Sequence, residues 1–425
     1  MWSTCHPDGF NLAGQDVRLG VAVISLCAVL GLVIWTRVRP AVSLLDFSCF
    51  SPSSSLNVGS EELSRLGVTS GFYSEESIAF QQKLLARSGV ADTSCFPEGL
   101  TDGLRQGKRP NLEAAKAESE LVLYTVVEDL LRKTGISPSE VDIVIVSCSC
   151  FGPTPSLAAM VVNRFDMKES TLTYNLGGMG CSSSVIAVDL AKHLLTALPR
   201  KRVLIVNHEN VTNCLYTGNQ KNMLITNVLF RIGGACAIMS NRPDDSVRAK
   251  YRLVHTVRTH LGRHKDAFSC MGDAEDTAGM RGIHLQRNVV AVAQKALTAN
   301  LRLLGPLVLP LPELLRAASR QNYVPNFKRA FERFLLHTGG RGVIESIQEG
   351  LSLSSKDCQA SYDTLHRFGN TSAASTWYIL ANLEHTGSIN KGDRIWQLGF
   401  GGGFKCNSAV WKACRSIRDH HACWQ

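Results

Sequence analysis

A cysteine that follows a run of glycines is the first feature of this sequence that could do chemistry. Cys181 ends the segment Asn-Leu-Gly-Gly-Met-Gly-Cys, and a helical pattern begins at Ser183. Glycines allow a tight turn, and a thiol in the first turn of a helix faces free N–H groups and the positive end of the helix dipole. That environment favours the thiolate, so we predict that Cys181 is a nucleophile that needs no metal. A buried structural cysteine is the alternative that this segment alone leaves open.

Two polar side chains elsewhere could stabilise negative charge on a carbonyl oxygen. His337 ends a short apolar run before Thr338, and Asn370 precedes a helical pattern. Taken singly, each has an ordinary structural interpretation, a satisfied polar group at a strand end and a helix N-cap. Together with Cys181 they are the neutral donors that an enzyme needs around a thioester carbonyl to hold an enolate or an oxyanion.

These three residues must be positioned by strands and helices in alternation. Apolar runs typical of strands buried on both faces occur at 142–147, 203–206, 235–239, 333–337 and 395–400. Helical patterns lie at 111–134, 183–195, 343–351 and 372–383. The alternation predicts an α/β protein with a mostly parallel sheet, and its repetition predicts two related strand–glycine–helix halves.

An uncharged segment near the N-terminus predicts membrane attachment. The 17 residues from Leu19 to Trp35 carry no charge and are followed by Arg37 and Arg39. This length is at the short end of what spans a bilayer core of about 30 Å. A signal peptide and a buried core helix are the alternatives, but no small-residue cleavage site follows the segment. The arginines favour a cytosolic side for the remainder of the chain.

Charge and cysteine spacing argue against several classes of protein. The net charge of +9 comes from 45 basic and 36 acidic residues without a Lys/Arg block interleaved with aromatics, so nucleic-acid binding has no support. The 14 cysteines contain no C-x-x-C pair, and their spacing predicts neither a zinc site nor a disulfide framework. We therefore expect a reduced, cytosolic catalytic part without a metal.

Four spaced motifs make the sequence comparable with a known family. They are NLGGMGCS around Cys181, HTGGR at His337, HRFGNTS at Asn370 and GFKCNSAVW at 403–411. Together they closely resemble the plant-type 3-ketoacyl-CoA synthases, relatives of the chalcone and stilbene synthases in the thiolase-like superfamily. The resemblance implies an α/β thiolase-like fold of two pseudo-symmetric halves in an αβαβα layered arrangement, preceded by an N-terminal transmembrane helix. The divisions are 1–40 for the membrane anchor with its span at about 19–35, 41–245 for the half with the nucleophilic cysteine, and 246–425 for the half with the histidine and asparagine.

The resemblance also implies the site residues. A Cys-His-Asn catalytic triad maps onto Cys181, His337 and Asn370. Additional active-site histidines of the family match two positions, and a third histidine nearby could substitute for the first of them: His260, His366 and His255. The chain departs from many relatives at Arg333, where they have a histidine, and this change could alter acyl preference or rate.

The implied activity is the decarboxylative condensation of malonyl-CoA with a long-chain acyl-CoA through an acyl-Cys181 intermediate. The products are 3-ketoacyl-CoA, CoA and CO2 in very-long-chain fatty acid biosynthesis, and neither cofactor nor metal is implied. We expect the protein to lie in the endoplasmic reticulum membrane with its catalytic domain facing the cytosol, and to form a homodimer. The other elongation enzymes are its expected partners: ketoacyl-CoA reductase, hydroxyacyl-CoA dehydratase and enoyl-CoA reductase. A type III polyketide synthase-like enzyme is the first alternative, against which the membrane segment argues. A catalytically silent scaffold subunit is the second, against which the complete triad argues.

Overall fold

One large β-sheet runs through the part of the chain that the computed structural model describes, residues 41–320 and 323–425. The strands are β1 Ser43–Cys49, β2 Ile143–Ser147, β3 Leu172–Leu176, β4 Arg202–His208, β5 Gly234–Ser240, β6 Tyr251–His260, β7 Met271–Glu275, β8 Arg281–Leu285, β9 Arg333–Leu336, β10 Arg394–Gly401 and β11 Lys405–Ala413. Nine of them form the sheet in the order β3-β2-β4-β5-β1-β6-β11-β10-β9, and β7 and β8 form a separate hairpin.

Helices cover the sheet, which divides at the short β1–β6 contact into two parts, β3-β2-β4-β5-β1 and β6-β11-β10-β9. They are α1 Ser60–Ser70, α2 Glu75–Ser88, α3 Glu98–Arg105, α4 Leu112–Thr134, α5 Leu157–Arg164, α6 Ser183–Ala197, α7 Val211–Cys214, α8 Lys221–Leu229, α9 Pro243–Ser246, α10 Lys265–Ser269, α11 Val289–Val308, α12 Leu311–Ser319, α13 Arg341–Gly350, α14 Ser355–Phe368 and α15 Ser375–His385. Most residues of α6 and α15 are buried, and each of these two helices contacts strands from both parts of the sheet. Their N-termini therefore meet inside the molecule.

The sheet is mixed, so the prediction of a mostly parallel sheet is wrong. Among the described strands, β2–β3, β2–β4 and β9–β10 are parallel, whereas β4–β5, β5–β1, β1–β6, β6–β11 and β11–β10 are antiparallel. The antiparallel strand β6 has one face on the core and one toward solvent, and charged residues interrupt its apolar pattern. Such a strand gives no continuous apolar run, which is the signal that revealed the fully buried strands.

The helix predicted over 111–134 is confirmed, and so are the residues at which it begins and ends. The Asn111 side chain accepts a hydrogen bond from the N–H of Ala114 at 2.9 Å, and α4 stops at Gly135, whose φ of +65° lies in the left-handed region. The helix predicted over 183–195 is confirmed as α6, and the five predicted strands appear within two residues of their expected bounds.

The predicted membrane span at 19–35 lies outside the described residues. Across 41–320 and 323–425, no helix combines the length and the apolar character that a bilayer crossing requires.

Candidate active site

One apolar pocket contains the three residues that the sequence singled out. Cys181, His337 and Asn370 all line it, and its cavity volume is about 80 Å³. The remaining wall is mostly aliphatic and aromatic and includes Leu229, Phe230, Val289, Val290, Ala293, Val343, Phe400 and Phe404. The structure therefore brings the predicted nucleophile and both predicted donors together at one apolar surface.

Cys181 is held in a turn that only glycine can form. It lies in a short 3-10 turn, Gly180–Ser182, immediately before α6. Gly180 has φ +64° and donates its N–H to Ser149 Oγ at 2.8 Å. A Cβ atom on Gly180 would lie 2.8 Å from the backbone nitrogen of Gly402, so a side chain there would force the backbone apart.

Burial controls the acidity of the thiol. Cys181 as a whole is half-buried, but its sulfur atom is surrounded by protein. This loss of solvation raises the pKa of the Cys181 thiol to about 12. Hydrogen bonds from Ser372 and Asn370 lower the pKa, while the Glu209 carboxylate raises it. Desolvation opposes the thiolate and outweighs the favourable hydrogen bonds, while the predicted effect of the helix terminus stays a prediction.

His337 is a neutral base under ordinary conditions. It follows β9 directly, is 2% exposed, and its burial lowers its pKa to about 4. Its Nδ1 lies 2.6 Å from the hydroxyl of Ser375, the first residue of α15. A hydroxyl can donate or accept, so Ser375 can pair with either tautomer of the ring. The Nε2 atom is then available either to accept a proton or to donate one.

Asn370 is held by hydrogen bonds of its backbone and of its side-chain amide oxygen. Its N–H donates to the carbonyl of Leu229 at 2.9 Å, and its carbonyl accepts from the N–H of Arg231 at 3.2 Å. Its Oδ1 accepts from the N–H of Ser372 at 2.8 Å. Because the oxygen is occupied in this way, the NH2 group is the part that can donate toward Cys181.

A buried carboxylate completes the site and was missed by the sequence analysis. Glu209 follows β4, and its Oε1 accepts the N–H groups of Ser149 at 2.9 Å and Cys150 at 2.7 Å. Its Oε2 lies 3.0 Å from the hydroxyl of Ser372, which also lies beside the Cys181 thiol, and the single proton of this hydroxyl can be donated to only one of the two. Burial raises the pKa of Glu209. The available signal was an acidic residue three positions after the apolar run Val203 to Val206.

The other predicted histidines lie elsewhere. His260 bonds the carbonyl of Gly403 through Nε2 at 3.1 Å, and the exposed His366 bonds the carbonyl of Gly89 through Nδ1 at 3.1 Å. His255 lies opposite Val410 of β11. None of His255, His260 and His366 is among the described residues that line the Cys181 pocket.

Arg333 stands away from the reacting groups. It is the first residue of β9, and its Nε lies 3.5 Å from Asp393 Oδ2. His337 lies four positions further along the chain, roughly 13 Å away at the usual rise of a strand. Its effect on acyl preference stays a prediction, and any such effect would have to act through β9.

Cys150 and Cys214 form a disulfide, so the expectation of a reduced catalytic part without disulfides is wrong for this pair. Their Cα atoms are 6.0 Å apart, and 64 positions separate them in the chain, so cysteine spacing gave no sign of the pair. The two sulfurs and a carboxylate oxygen of Glu209 lie within 4.8 Å of one another. Sulfurs that are bonded to each other are not free to hold a metal.

Comparison with known proteins places this site in a family. The family model described as FAE1/Type III polyketide synthase-like protein matches residues 33–322, and the C-terminal model of 3-oxoacyl-[acyl-carrier-protein] synthase III matches 328–413. The chain is 45% identical to 3-ketoacyl-CoA synthase 2 of Arabidopsis thaliana over 90% of its own length and 74% of the relative's. It is 43% identical to 3-ketoacyl-CoA synthase 16 of the same plant over 98% of its own length and 87% of the relative's. The chain belongs to the 3-ketoacyl-CoA synthase family.

A solved structure shows the fold of this family member. The crystal structure of 1,3,6,8-tetrahydroxynaphthalene synthase from Streptomyces coelicolor A3(2), a bacterial type III polyketide synthase, matches with a TM-score of 0.72. The match covers 87% of the chain and 99% of that structure at 20% identity. The 3-ketoacyl-CoA synthase chain thus has the thiolase-like α/β fold, and it is a condensing acyltransferase by its family.

Proposed function

We propose that this protein condenses malonyl-CoA with a long-chain acyl-CoA, with loss of CO2, to give a 3-ketoacyl-CoA two carbons longer. The observation that carries the proposal is the meeting of Cys181, His337 and Asn370 at one apolar pocket in a chain of this family. A thiol can take over an acyl group, and an apolar wall suits an acyl chain.

The first half-reaction loads the acyl group. Nε2 of neutral His337 accepts the proton of the Cys181 thiol while the sulfur attacks the thioester carbon. The new sulfur–carbon bond forms as the bond to the CoA sulfur breaks, and the proton leaves with CoA. A buried thiol that attacks in this way needs a base nearby to remove its proton, and burial keeps His337 neutral, which is its base form.

The second half-reaction forms the carbon–carbon bond. His337 Nε2 and the Asn370 amide donate to the thioester oxygen of malonyl-CoA, so the enolate that forms as CO2 leaves is held by fixed donors. The enolate carbon attacks the acyl-Cys181 carbonyl, and the cysteine sulfur leaves and takes up a proton from solvent, since its first proton left with CoA. One such donor is typically worth roughly 3–4 kcal/mol, so removal of either should slow condensation by about 100-fold or more. No step needs a metal or a redox cofactor.

Membrane attachment and assembly are part of the proposal. The uncharged segment 19–35 would anchor the chain in the endoplasmic reticulum membrane with its catalytic domain on the cytosolic side, close to the other three elongation enzymes. A homodimer is supported by β3, which is an edge strand of the described sheet and exposes Leu172. Edge strands readily pair with a second copy. Native mass spectrometry in detergent tests this assembly.

Glycosylation cannot report the orientation of the folded domain. The two sequons begin at Asn210 and Asn370, and both asparagines are buried. The Asn210 amide donates to the carbonyl of Ala115 at 2.6 Å. Protease protection of sealed microsomes is the better test, and digestion of the catalytic domain from outside is the expected result.

The test of activity uses membranes that contain the full chain, radiolabelled malonyl-CoA and a series of acyl-CoA primers. Label is expected in a 3-keto product two carbons longer, and Cys181→Ala should abolish it. Asn370→Ala should still accept the acyl group at Cys181 but release CO2 much more slowly, whereas His337→Gln should slow both half-reactions because it removes the base as well as a donor. Products extended several times on one primer would favour the polyketide synthase alternative. No product with any primer would favour the silent scaffold.

A further inference from the structure

The Cys150–Cys214 disulfide lies between the active-site residues and a second cavity. Cys150 stands in the loop after β2, and Cys214 is the last residue of α7. Both cysteines line a cavity of about 180 Å³ whose described lining does not include Cys181. Cys150 is half-buried and Cys214 is buried, so Cys150 is the more accessible of the two to a small molecule in this cavity.

Hydrogen bonds connect the disulfide to the nucleophile on its other side. The N–H of Cys150 donates to Glu209 Oε1 at 2.7 Å. Ser149 donates its N–H to the same oxygen at 2.9 Å, and its hydroxyl accepts from the N–H of Gly180 at 2.8 Å. Gly180 is the residue before Cys181. The backbone at Cys150 therefore helps to fix the turn that holds Cys181.

The disulfide joins the two chain segments that meet at Glu209. Cys150 follows the end of β2 by three residues, and Cys214 follows Glu209 by five. The exposed Asn213 side chain also donates to the carbonyl of Cys150, but a hydrogen bond at the surface competes with water. Opening of the disulfide removes the covalent link between these segments and gives Ser149 and Glu209 more freedom to move.

The cavity suits a small thiol that carries a carboxylate. Arg109 and Arg281, both exposed, line it together with Thr212 and Thr217. Asp273 also lines the cavity and lies 3.0 Å from Arg281, so the charge of Arg109 remains in excess. Guanidinium groups bind carboxylates through short, charge-assisted hydrogen bonds. A carboxylate held by Arg109 would bring its own thiol into the cavity that the disulfide lines.

We propose that the Cys150–Cys214 disulfide is a reversible exchange site for a small carboxylate-bearing thiol of the glutathione class, and that its redox state controls how firmly Cys181 is positioned. The small thiolate attacks the Cys150 sulfur, so a mixed disulfide forms while the Cys214 sulfur leaves and takes up a proton. A second small thiolate then displaces Cys150, which also takes up a proton. The protein gains two electrons and two protons, and the two small thiols become a disulfide.

The surroundings of the domain give such a site a use. In the cytosol, disulfides are usually transient and serve redox sensing or catalysis. The cytosolic orientation belongs to the proposed function, whereas the exchange site does not depend on the proposed activity, because neither acyl-CoA nor malonyl-CoA takes part in the exchange.

Exchange is measured on the full chain in detergent without acyl-CoA. The disulfide is opened with anionic mercaptopropionate or with neutral mercaptoethanol, mass spectrometry follows the Cys150 peptide, and each rate is divided by that thiol's rate with a soluble reference disulfide. The normalised rate should be about two- to fivefold higher for the anionic thiol, the range that an exposed ion pair provides. Arg109→Gln should remove this preference, and the control Arg105→Gln, at an exposed arginine outside the lining, should keep it.

Two results of this experiment would overturn the exchange site. Equal normalised rates for both thiols in the unaltered protein would show that the cavity does not recognise a carboxylate. A disulfide that resists glutathione and both test thiols, or that only a protein dithiol opens, would show that no small thiol uses the cavity.

The effect on Cys181 is measured after the small thiol has been removed. Reduced protein should react with iodoacetamide at Cys181 at least about threefold faster than oxidised protein, because a looser turn encloses the sulfur less. Its condensation rate should fall about tenfold or more, since a displacement of about 1 Å can cost on the order of 100-fold. Oxidised glutathione should reverse both changes.

The double variant Cys150→Ser with Cys214→Ser is the control for the other thiols of the chain. It should show the values of the reduced protein under both conditions, and thermal unfolding confirms that it is folded. Equal Cys181 alkylation rates in the oxidised and reduced unaltered protein would overturn the control of Cys181 by the disulfide. Absence of product in both states, with exchange and alkylation as expected, would instead overturn the proposed function and leave this inference standing.

Discussion

The sulfur of Cys181 contacts two hydrogen-bond donors but remains a poor acid. Ser372 and Asn370 lower its pKa, yet burial and the nearby Glu209 carboxylate raise it, and the net pKa is about 12. His337, with a pKa of about 4, does not hold a proton at neutral pH. Burial thus favours a neutral thiol beside a neutral imidazole over a thiolate–imidazolium pair.

Alkylation should reveal this neutral pair. The rate at which iodoacetamide modifies Cys181 is expected to rise about tenfold per pH unit from about pH 7 to about pH 10 without a plateau, because the reactive thiolate keeps increasing below its pKa. Mass spectrometry of the Cys181 peptide measures the rate, and Cys181→Ala supplies the background from other thiols such as the exposed Cys414. A plateau that begins below about pH 8 would instead establish an ion pair.

Removal of the Glu209 charge should make the thiol more acidic. Glu209→Gln keeps a carbonyl oxygen for the N–H groups of Ser149 and Cys150, but it deletes the negative charge that raises the Cys181 pKa. Alkylation at a fixed pH near 8 is therefore expected to be faster in the variant than in the unaltered protein. Glu140→Gln, at a carboxylate that bonds Arg202 away from the pocket, is the control and should leave the rate unchanged. A slower or equal rate in Glu209→Gln would show that Glu209 acts only as a scaffold.

Sequence reasoning found the groups that react but not those that orient them. Cys181, His337 and Asn370 stand next to glycines at element ends, where motif and position coincide. Ser375 and Glu209 reach the site through contacts that span long stretches of chain, for example 163 residues between Ser372 and Glu209. A single sequence contains no local mark of such a contact.

At the scale of elements, the sequence revealed those strands whose residues are buried along the whole strand. Strand β4 is buried along its whole length and appears in the sequence as an apolar run, whereas β6 alternates buried and exposed positions and was missed. Helix α11 also escaped prediction because Gly305 and Pro306 lie inside its last turn, and both residue types usually mark helix ends. The helix that lines the active-site pocket with Val289, Val290 and Ala293 was therefore not visible from the sequence.

The role of the turn before α6 in positioning Cys181 can be tested at two glycines, Gly180 and Gly178, which differ in the space available for an added Cβ atom. Gly180 and Gly178 both have positive φ, +64° and +63°, so alanine costs about 1–2 kcal/mol of conformational energy at either. A Cβ at Gly178 meets nothing within 4 Å, whereas one at Gly180 overlaps the backbone of Gly402. Gly180→Ala should therefore displace Cys181 and slow acylation by about 100-fold. Gly178→Ala should lose stability but retain most of the acylation rate, and equal rates in both variants would contradict this role of the close contact.

At the scale of the whole molecule, the two parts of the sheet meet at a narrow seam. Between β1 and β6 only two described residue pairs are in register, Ser43 with Arg252 and Leu44 with Tyr251. Lys250 stands next to this seam, is fully buried, and its N–H donates to the carbonyl of Leu44 at 3.0 Å.

The ammonium group of Lys250 lies between three carboxylates. It is 2.7 Å from Asp46 of β1, 2.7 Å from Glu384 of α15 and 2.5 Å from Asp419 near the C-terminus. Burial disfavours its charge, but the carboxylates of Glu384 and Asp46 outweigh that effect and raise its pKa. One cation thus joins both parts of the sheet, a central helix and the C-terminal segment.

Loss of this cation should destabilise the molecule much more than loss of a surface ion pair. Lys250→Met keeps the aliphatic stem but leaves buried carboxylates without a counter-charge, and such a change typically costs about 3–5 kcal/mol. The control is Arg132→Met, which removes a pair with Asp129 from a side chain that is 77% exposed and should cost less than about 1 kcal/mol. Denaturant unfolding of the full chain in detergent measures both changes.

The loss in Lys250→Met should also depend on pH with a definite sign. Burial opposes the charge of Glu384, but the contacts with His421 and Lys250 prevail and lower its pKa, so the stability it contributes is present at neutral pH and is lost as pH falls through that lowered pKa. Without Lys250 the folded-state pKa of Glu384 rises, and the carboxylate can take up a proton at a higher pH than before. The difference in unfolding free energy between the unaltered protein and Lys250→Met is therefore expected to be largest near pH 7 and to shrink toward about pH 4. A difference that stays constant over this range would mean that Lys250 stabilises the seam by packing and not by its charge.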